Sequence, residues 1–393
     1  MSAGRSAWKE RLRRAAPYLV AAAWLGLGFA NLLRGVDHPG VEYRPWAFRN
    51  HSYSDLLAMS GDRYLRGGRP LPYLDDRIEY PVLLGFVLWA PSFLPGGQRG
   101  HFTGSVLFLG LCLLASVGLL RRLPGANAWW LAATPAIAYC GALNWDLLPI
   151  ALLLAALLAL QQARPVRAGA LAALGISAKL WPVALVPAAL SDLVSRRRGS
   201  ELGRAAAAFL AVTLAVNLPL ALRAPGNWSW FFRFNGGRSA ENSIWEVLRV
   251  SDPVLLNGLA FGLLAAAAAA AAVAAWRAPE AVRPRAVSLG TALVLVVWIA
   301  TNKVWSPQYA LYAFTAGALV SAPAWLFAVL SVVSAVDYHL AFEVRTDRGL
   351  FRFFDGWYYG EEVVRSIVYG LLAAWLLREM VRARAAVARA AAP

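Results

Sequence analysis

Leu255-Leu256-Asn257-Gly258-Leu259-Ala260-Phe261-Gly262-Leu263-Leu264, continuing through Ala265 to Ala272 and ending Val273-Ala274-Ala275-Trp276, is a run of 22 residues with one amide, Asn257, and no charge. A helix needs ~20 apolar residues to cross ~30 Å of hydrocarbon. Leu and Ala are strong helix formers, and the run lacks the period-two alternation of a barrel strand. It reads as a transmembrane helix. Comparable blocks, such as Phe102 to Leu120, recur along the 393 residues, of which 59% are apolar and 15% charged. Soluble domains are nearer 45–50% apolar and about 25% charged. Because hydrocarbon leaves no partner for an open backbone, continuous apolar blocks imply a helical bundle. The expectation is an all-α polytopic membrane protein, one integral domain over 1–393, with about 12 transmembrane helices.

The net charge of +16 gains meaning from where it lies. Lys9, Arg11, Arg13 and Arg14 precede the first block; Arg121 and Arg122, Arg164 and Arg167, Arg196 to Arg198, Arg277 to Arg285, and Arg378 to Arg389 follow later ones. That is the positive-inside pattern, which places both termini in the cytoplasm and membrane lipids around the chain. Nucleic acid is excluded as a partner because the cations form no single patch interleaved with aromatics. Cys112 and Cys140 sit inside apolar blocks and read as small hydrophobes, not as a disulfide or metal framework. Pro17 to Leu33 follows a basic stretch without a small-residue cleavage site, so it reads as a retained first span.

With the basic clusters inside, span 1 (17–34) leads to a first external loop, 35–80. Pro81 to Pro95 is short and broken by Pro91, so it is expected to be interfacial or re-entrant. Spans over 102–120, 128–143 and 147–161 follow. The block 168–194 is expected to be a broken pair, its tip at Lys179, Trp181 and Pro182. A span over 205–222 leads to a second external loop, 223–253, and later spans over 254–276, 286–300 and 308–320 precede a last external loop, 342–360. Every polar interruption then falls on the outer face, which makes the extracytoplasmic side the working side.

Only three of the 38 basic residues are lysines, and two of them, Lys179 and Lys303, interrupt apolar segments. An ionisable group inside a membrane segment usually faces a cavity, and an ammonium suits a phosphate; the bland alternative is snorkelling to the interface. In the first external loop, Ser52 three residues before Asp55 resembles a capping box, and Gly67 suits a helix end, so a short helix is expected over 53–66 with Asp55 and Asp62 on one face. Asp55 is either a helix cap or a general base. The aromatic and polar stretch from Asn227 through Trp228, Arg238 and Asn242 suits a sugar or an interfacial belt equally, as does Asn302 to Tyr309 with Lys303, Trp305, Gln308 and Tyr309. Walker, GxGxxG and HExxH patterns are missing, the four histidines are scattered, and Asp75-Asp76 is not a DxD, so no cofactor or metal is indicated.

The early Asp55, then Gly67 to Tyr73, then Glu79-Tyr80-Pro81 opening a short apolar helix, resemble membrane glycosyltransferases of the GT-C fold. Ala168 to Pro182, with glycines ahead of Lys179-Leu180-Trp181-Pro182, resembles a segment of glycosyltransferase family 87, the polyprenyl-phosphate-mannose-dependent mannosyltransferases; Lys303 to Tyr309 resembles a late segment of such enzymes. The resemblance implies a GT-C-like bundle with a short helical first external loop. It implies a metal-independent, inverting enzyme that moves a sugar, most often mannose, from a polyprenyl-phosphate donor to a glycolipid or glycan hydroxyl on the outer face. Asp55 would be the base, with Asp62 and Asp146 as alternative acids. Lys179, Lys303 and Arg238 would hold the donor phosphate, and Tyr80, Asn144, Trp228, Asn242, Trp305, Gln308 and Tyr309 would contact sugar or acceptor. The competing reading is a transporter or flippase whose broken helices line a path at the midplane, but no inverted repeat is evident; a noncatalytic scaffold is a second alternative.

Overall fold

The computed structural model describes residues 2–65, 67–346 and 351–390, with side chains described except at 2–7, 61, 62, 65, 351–355 and 384–390. The first helix, α1 (Ser2–Leu33), is followed by α2 (Tyr43–Arg49), α3 (Asp55–Met59), which continues as a π-helical turn over Ser60–Leu65, α4 (Val82–Trp89) and α5 (Gly97–Leu120). Next come α6 (Trp129–Ala132), α7 (Ala136–Cys140), α8 (Leu147–Gln161), α9 (Pro165–Ala178), α10 (Val186–Ser195) and α11 (Gly199–Arg223). The chain closes with α12 (Pro225–Trp228), α13 (Trp230–Gly237), α14 (Ile244–Val247), α15 (Pro253–Arg277), α16 (Arg283–Thr301), α17 (Ala310–Val320), α18 (Ala324–Glu343) and α19 (Phe351–Ala390). The chain is all-α, as the apolar blocks require. Among the described residues six helices are long and apolar enough to cross a membrane: Trp8–Asp37, Gly97–Leu120, Gly199–Arg223, Pro253–Arg277, Glu280–Thr301 and Ala324–Glu343. The expected dozen is not reached by length, because several blocks break into shorter pieces.

Those breaks have local causes. The block 128–143 divides at Pro135, which has no N–H to continue a helix; Thr134 Oγ1 accepts the N–H of Ala136 and starts α7 afresh. The block 168–194 divides at Lys179, whose extended backbone ends α9 before Pro182 opens a 3₁₀ turn over Trp181–Leu185. The loop expected over 342–360 is helical from Phe351 onward, and its residues 347–350 lie outside the described residues.

α17 is buried on every side, and α16 is buried over most of its length, packed by α15, α10, α17 and α19. Both are apolar all round, as buried helices are. At the periphery, α11 presents Leu210, Leu214, Leu218 and Leu222, each exposed and four apart on one face. Such a stripe is unfavourable in water and natural against lipid. α11 meets α9 where Gly169 lies on the Ala205 carbonyl; any Cβ at Gly169 would overlap that oxygen.

The arginine clusters gather at one end of the bundle. Asp192 accepts from Arg196 and lies 3.8 Å from Arg283, Gln161 donates to the Pro284 carbonyl, and Arg121 donates to the Arg14 carbonyl. The opposite ends of α8, α9 and α16 deliver Asn144, Lys179 and Lys303 to a common cavity.

Candidate active site

The cavity holds about 890 Å³. The loop over 35–80 is docked onto the segment before α8: the Asp55 N–H donates to the Leu143 carbonyl at 2.8 Å, and Ser54 Oγ donates to the Ala142 carbonyl at 2.6 Å. Ser54 also caps α3 by accepting the N–H of Leu56. The cap expected at Ser52 is therefore two residues late; Ser52 instead donates to the Asn31 carbonyl and ties the loop to α1. The helix expected over 53–66 starts at Asp55 and widens into the π turn, and the left-handed glycine is Gly68 rather than Gly67.

This docking brings Asp55 beside Asn144. Tyr53 donates its hydroxyl to Asp55 Oδ1 at 2.8 Å, and Asn144 Nδ2 donates to Oδ2 at 2.6 Å. The same amide donates to the Tyr80 hydroxyl at 2.8 Å. Its oxygen accepts from Lys179 Nζ at 3.0 Å and from the Trp145 N–H at 2.6 Å. Lysine can only donate, so Lys179 fixes the amide with its NH₂ toward Asp55. Burial pushes the Asp55 carboxyl above the ordinary aspartate range, while the Tyr53 and Asn144 hydrogen bonds and the Lys179 charge pull it back.

Lys179 lines the cavity, and Asp146 is its ion-pair partner. Asp146 is 0% exposed and does not line the cavity; its Oδ1 accepts from Lys179 at 2.6 Å and from the Tyr312 hydroxyl at 2.7 Å. It is the counter-ion of Lys179, so the Lys179 charge is matched within the protein. The Asp62 side chain lies outside the described residues. Trp228 is not among the residues that line the cavity: it packs with Tyr73, Ile78, Val82 and Leu220, and donates to Asn217 Oδ1 at 3.3 Å.

Across the cavity, Lys303 is buried and donates to the Gly236 carbonyl at 2.9 Å, and no carboxylate among the described residues pairs with it. Burial and the neighbouring Arg238 charge lower its pKa. Two cations held close with one matched by Glu241 leave a surplus positive charge facing the cavity. Tyr80, Asn242, Trp305, Gln308 and Tyr309 line the same space. Of the charged lining residues, Arg44 and Arg345 were not singled out by sequence, and Glu79 was read only as part of the stretch that opens α4. Glu79 stands next to Tyr80 in a stretch that was read, yet only its ion pair with Arg63 at 3.2 Å shows how it is held. Nothing in the sequence separates Arg44 or Arg345 from other loop arginines. Among the described residues no group of three or more His, Cys, Asp or Glu side chains suits a metal ion.

The family model described as glycosyltransferase family 87 matches residues 79–301, more than half of the chain. The chain belongs to glycosyltransferase family 87. The resemblance carried by Ala168 to Pro182 is thereby borne out, and this family 87 chain is a multi-pass membrane glycosyltransferase. The matched residues include Tyr80, Asn144, Lys179, Arg238 and Asn242; Asp55 precedes them and Lys303 follows them. The glycines of the family segment have packing duties here: Gly169 admits α11, and Gly175 admits the ring of Pro182, 3.0 Å from where a Cβ would stand, which sets the bend that carries Lys179. Among solved structures, ArnT from Cupriavidus metallidurans, bound to undecaprenyl phosphate, is similar at 17% identity and a TM-score of 0.48, over 92% of this chain and 77% of its own. No curated protein matches the sequence.

Proposed function

We propose that this family 87 member is an inverting glycosyltransferase that moves a sugar, with mannose the first to test, from a polyprenyl-phosphate donor to a hydroxyl of a glycolipid or glycan acceptor. The observation that carries it is the cavity itself, which sets in one space the hydrogen-bonded Asp55 carboxylate and the Lys303 ammonium, with which no described carboxylate pairs. Asp55 takes the proton of the acceptor hydroxyl. The acceptor oxygen bonds to the anomeric carbon from the face opposite the phosphate, the bond from that carbon to the phosphate oxygen breaks, and its electron pair leaves on the lipid phosphate. Lys303 and Arg238 stabilise the charge that develops there. Lys179, neutralised by Asp146, keeps Asn144 and so Asp55 in place. Tyr80, Asn242, Trp305, Gln308 and Tyr309 supply the rings and polar groups that a sugar needs.

The extracytoplasmic side is the side of reaction on this proposal, because the cavity lies at helix ends opposite those bearing the arginine clusters. The test is transfer from radiolabelled polyprenyl-phosphate-mannose to lipid acceptors by purified protein in nanodiscs, native chain against Asp55→Asn. Loss of transfer with the donor still bound is expected; undiminished transfer by Asp55→Asn removes Asp55 from the base role.

A further inference from the structure

The wall that carries Lys303 is a short cross-braced pair of segments. The Glu241 N–H donates to the Lys303 carbonyl and the Trp305 N–H to the Glu241 carbonyl, both at 2.9 Å, and Ser243 Oγ donates to the Lys303 carbonyl at 2.9 Å. Asn242 lies between them at a φ of 52°, a left-handed conformation that asparagine tolerates better than most residues but that needs support.

The support comes from α18 and α19, which contribute no residue assigned a role above. Arg365 of α19 donates through Nη2 to the Asn242 carbonyl at 2.6 Å, and through Nη1 to Glu361 at 2.8 Å and to Asp337 of α18. Its guanidinium lies 4.2 Å from the centroid of the Trp305 ring, and Asp337 Oδ2 accepts from Trp305 Nε1 at 2.8 Å. One guanidinium and one carboxylate thus grip the two wall segments at once, one by its backbone and the other by both face and edge of an indole. Arg365 and Asp337 are almost wholly buried, so neither contact is loosened by water.

We infer that Arg365 and Asp337 are positioning residues for the donor side of the cavity: by fixing Trp305 and Asn242 they hold Lys303 where the lipid phosphate binds. This rests on the donor site proposed above. A planar, five-donor guanidinium is required for the grip, because a lysine could not stack on Trp305 while bonding two carboxylates and a carbonyl.

The experiment uses the full chain in nanodiscs, with decaprenyl phosphate binding measured by native mass spectrometry and donor kinetics measured with polyprenyl-phosphate-mannose. Arg365→Gln and Asp337→Asn are each expected to weaken decaprenyl phosphate binding and raise the donor KM ~10-fold while kcat stays within about twofold. Asp337→Glu restores part of the loss. Trp305→Phe keeps the ring and the buried ion pair, and is expected to raise the donor KM about threefold; adding Asp337→Asn to it costs less than in the native chain, because the two share one link. Variants that lose thermal stability yet bind decaprenyl phosphate with native affinity and KM overturn the inference. Should Arg365→Gln fail to fold, unchanged binding by Trp305→Phe overturns it alone. A native chain that binds no decaprenyl phosphate removes the donor site itself, a result distinct from native binding with unmoved variants.

Discussion

Lys179 and Asp146 form a buried ion pair, Nζ to Oδ1 at 2.6 Å, and the same ammonium donates to the Asn144 amide that holds Asp55. Removing one partner of such a pair strands a charge out of water at a cost of about 3–5 kcal/mol, whereas removing both is far milder. Lys179→Met alone is expected to lower the thermal midpoint sharply in detergent, and Lys179→Met with Asp146→Leu to recover much of it. If the double variant is folded but nearly inactive, Lys179 works by orienting Asn144; native-like activity would show that the amide needs no such guide.

If Asp55 is the base, as proposed, the pH dependence of transfer follows from its surroundings. Burial raises its pKa, so the proton-accepting form is lost on acidification at a higher pH than for a free aspartate. The Tyr53 hydroxyl stabilises the ionised form, so Tyr53→Phe raises the pKa further and moves the acid limb of kcat/KM to higher pH. A limb that stays in place or moves down would show that another group titrates.

Lys303→Met removes a cavity cation that no described carboxylate matches. Donor KM is expected to rise by roughly 10- to 100-fold, as for loss of a charge-assisted phosphate contact. The depressed Lys303 pKa adds a sign: donor affinity in the native chain falls as pH rises through a value below that of an ordinary lysine, and Lys303→Met abolishes that fall. Equal donor KM in the two proteins would move the phosphate elsewhere.

Gly169 is a matter of packing alone. Its missing Cβ lets the Ala205 carbonyl of α11 rest on α9, so Gly169→Val forces the helices apart. The overpacking cost is about 1–3 kcal/mol. The expected readout is a lower thermal midpoint with kcat/KM of the folded fraction little changed; a native midpoint would mean that α11 is held by other contacts.

Much of this protein was legible along the chain. Leu255 to Trp276 needs only its composition to be a membrane helix, the arginines mark helix ends by their position, and Lys179 and Lys303 announce themselves by interrupting apolar runs. The break at Lys179 was legible too, but the span count was less so, because Pro135 divides a block that hydropathy alone runs together.

What the chain does not carry locally is pairing. Lys179 and Lys303 look alike in sequence, yet one meets Asp146 and the other meets a backbone carbonyl and a second cation. Asp55 and Asn144 are brought together by hydrogen bonds from Ser54 and Asp55 to Ala142 and Leu143, far along the chain. Hydrophobic pattern and charge position determine the bundle, since each helix answers to its own residues. Which buried lysine is matched by a carboxylate, and which is not, is decided only when distant segments pack, because electrostatic compensation depends on distances of a few ångströms in space and on nothing that sequence spacing records.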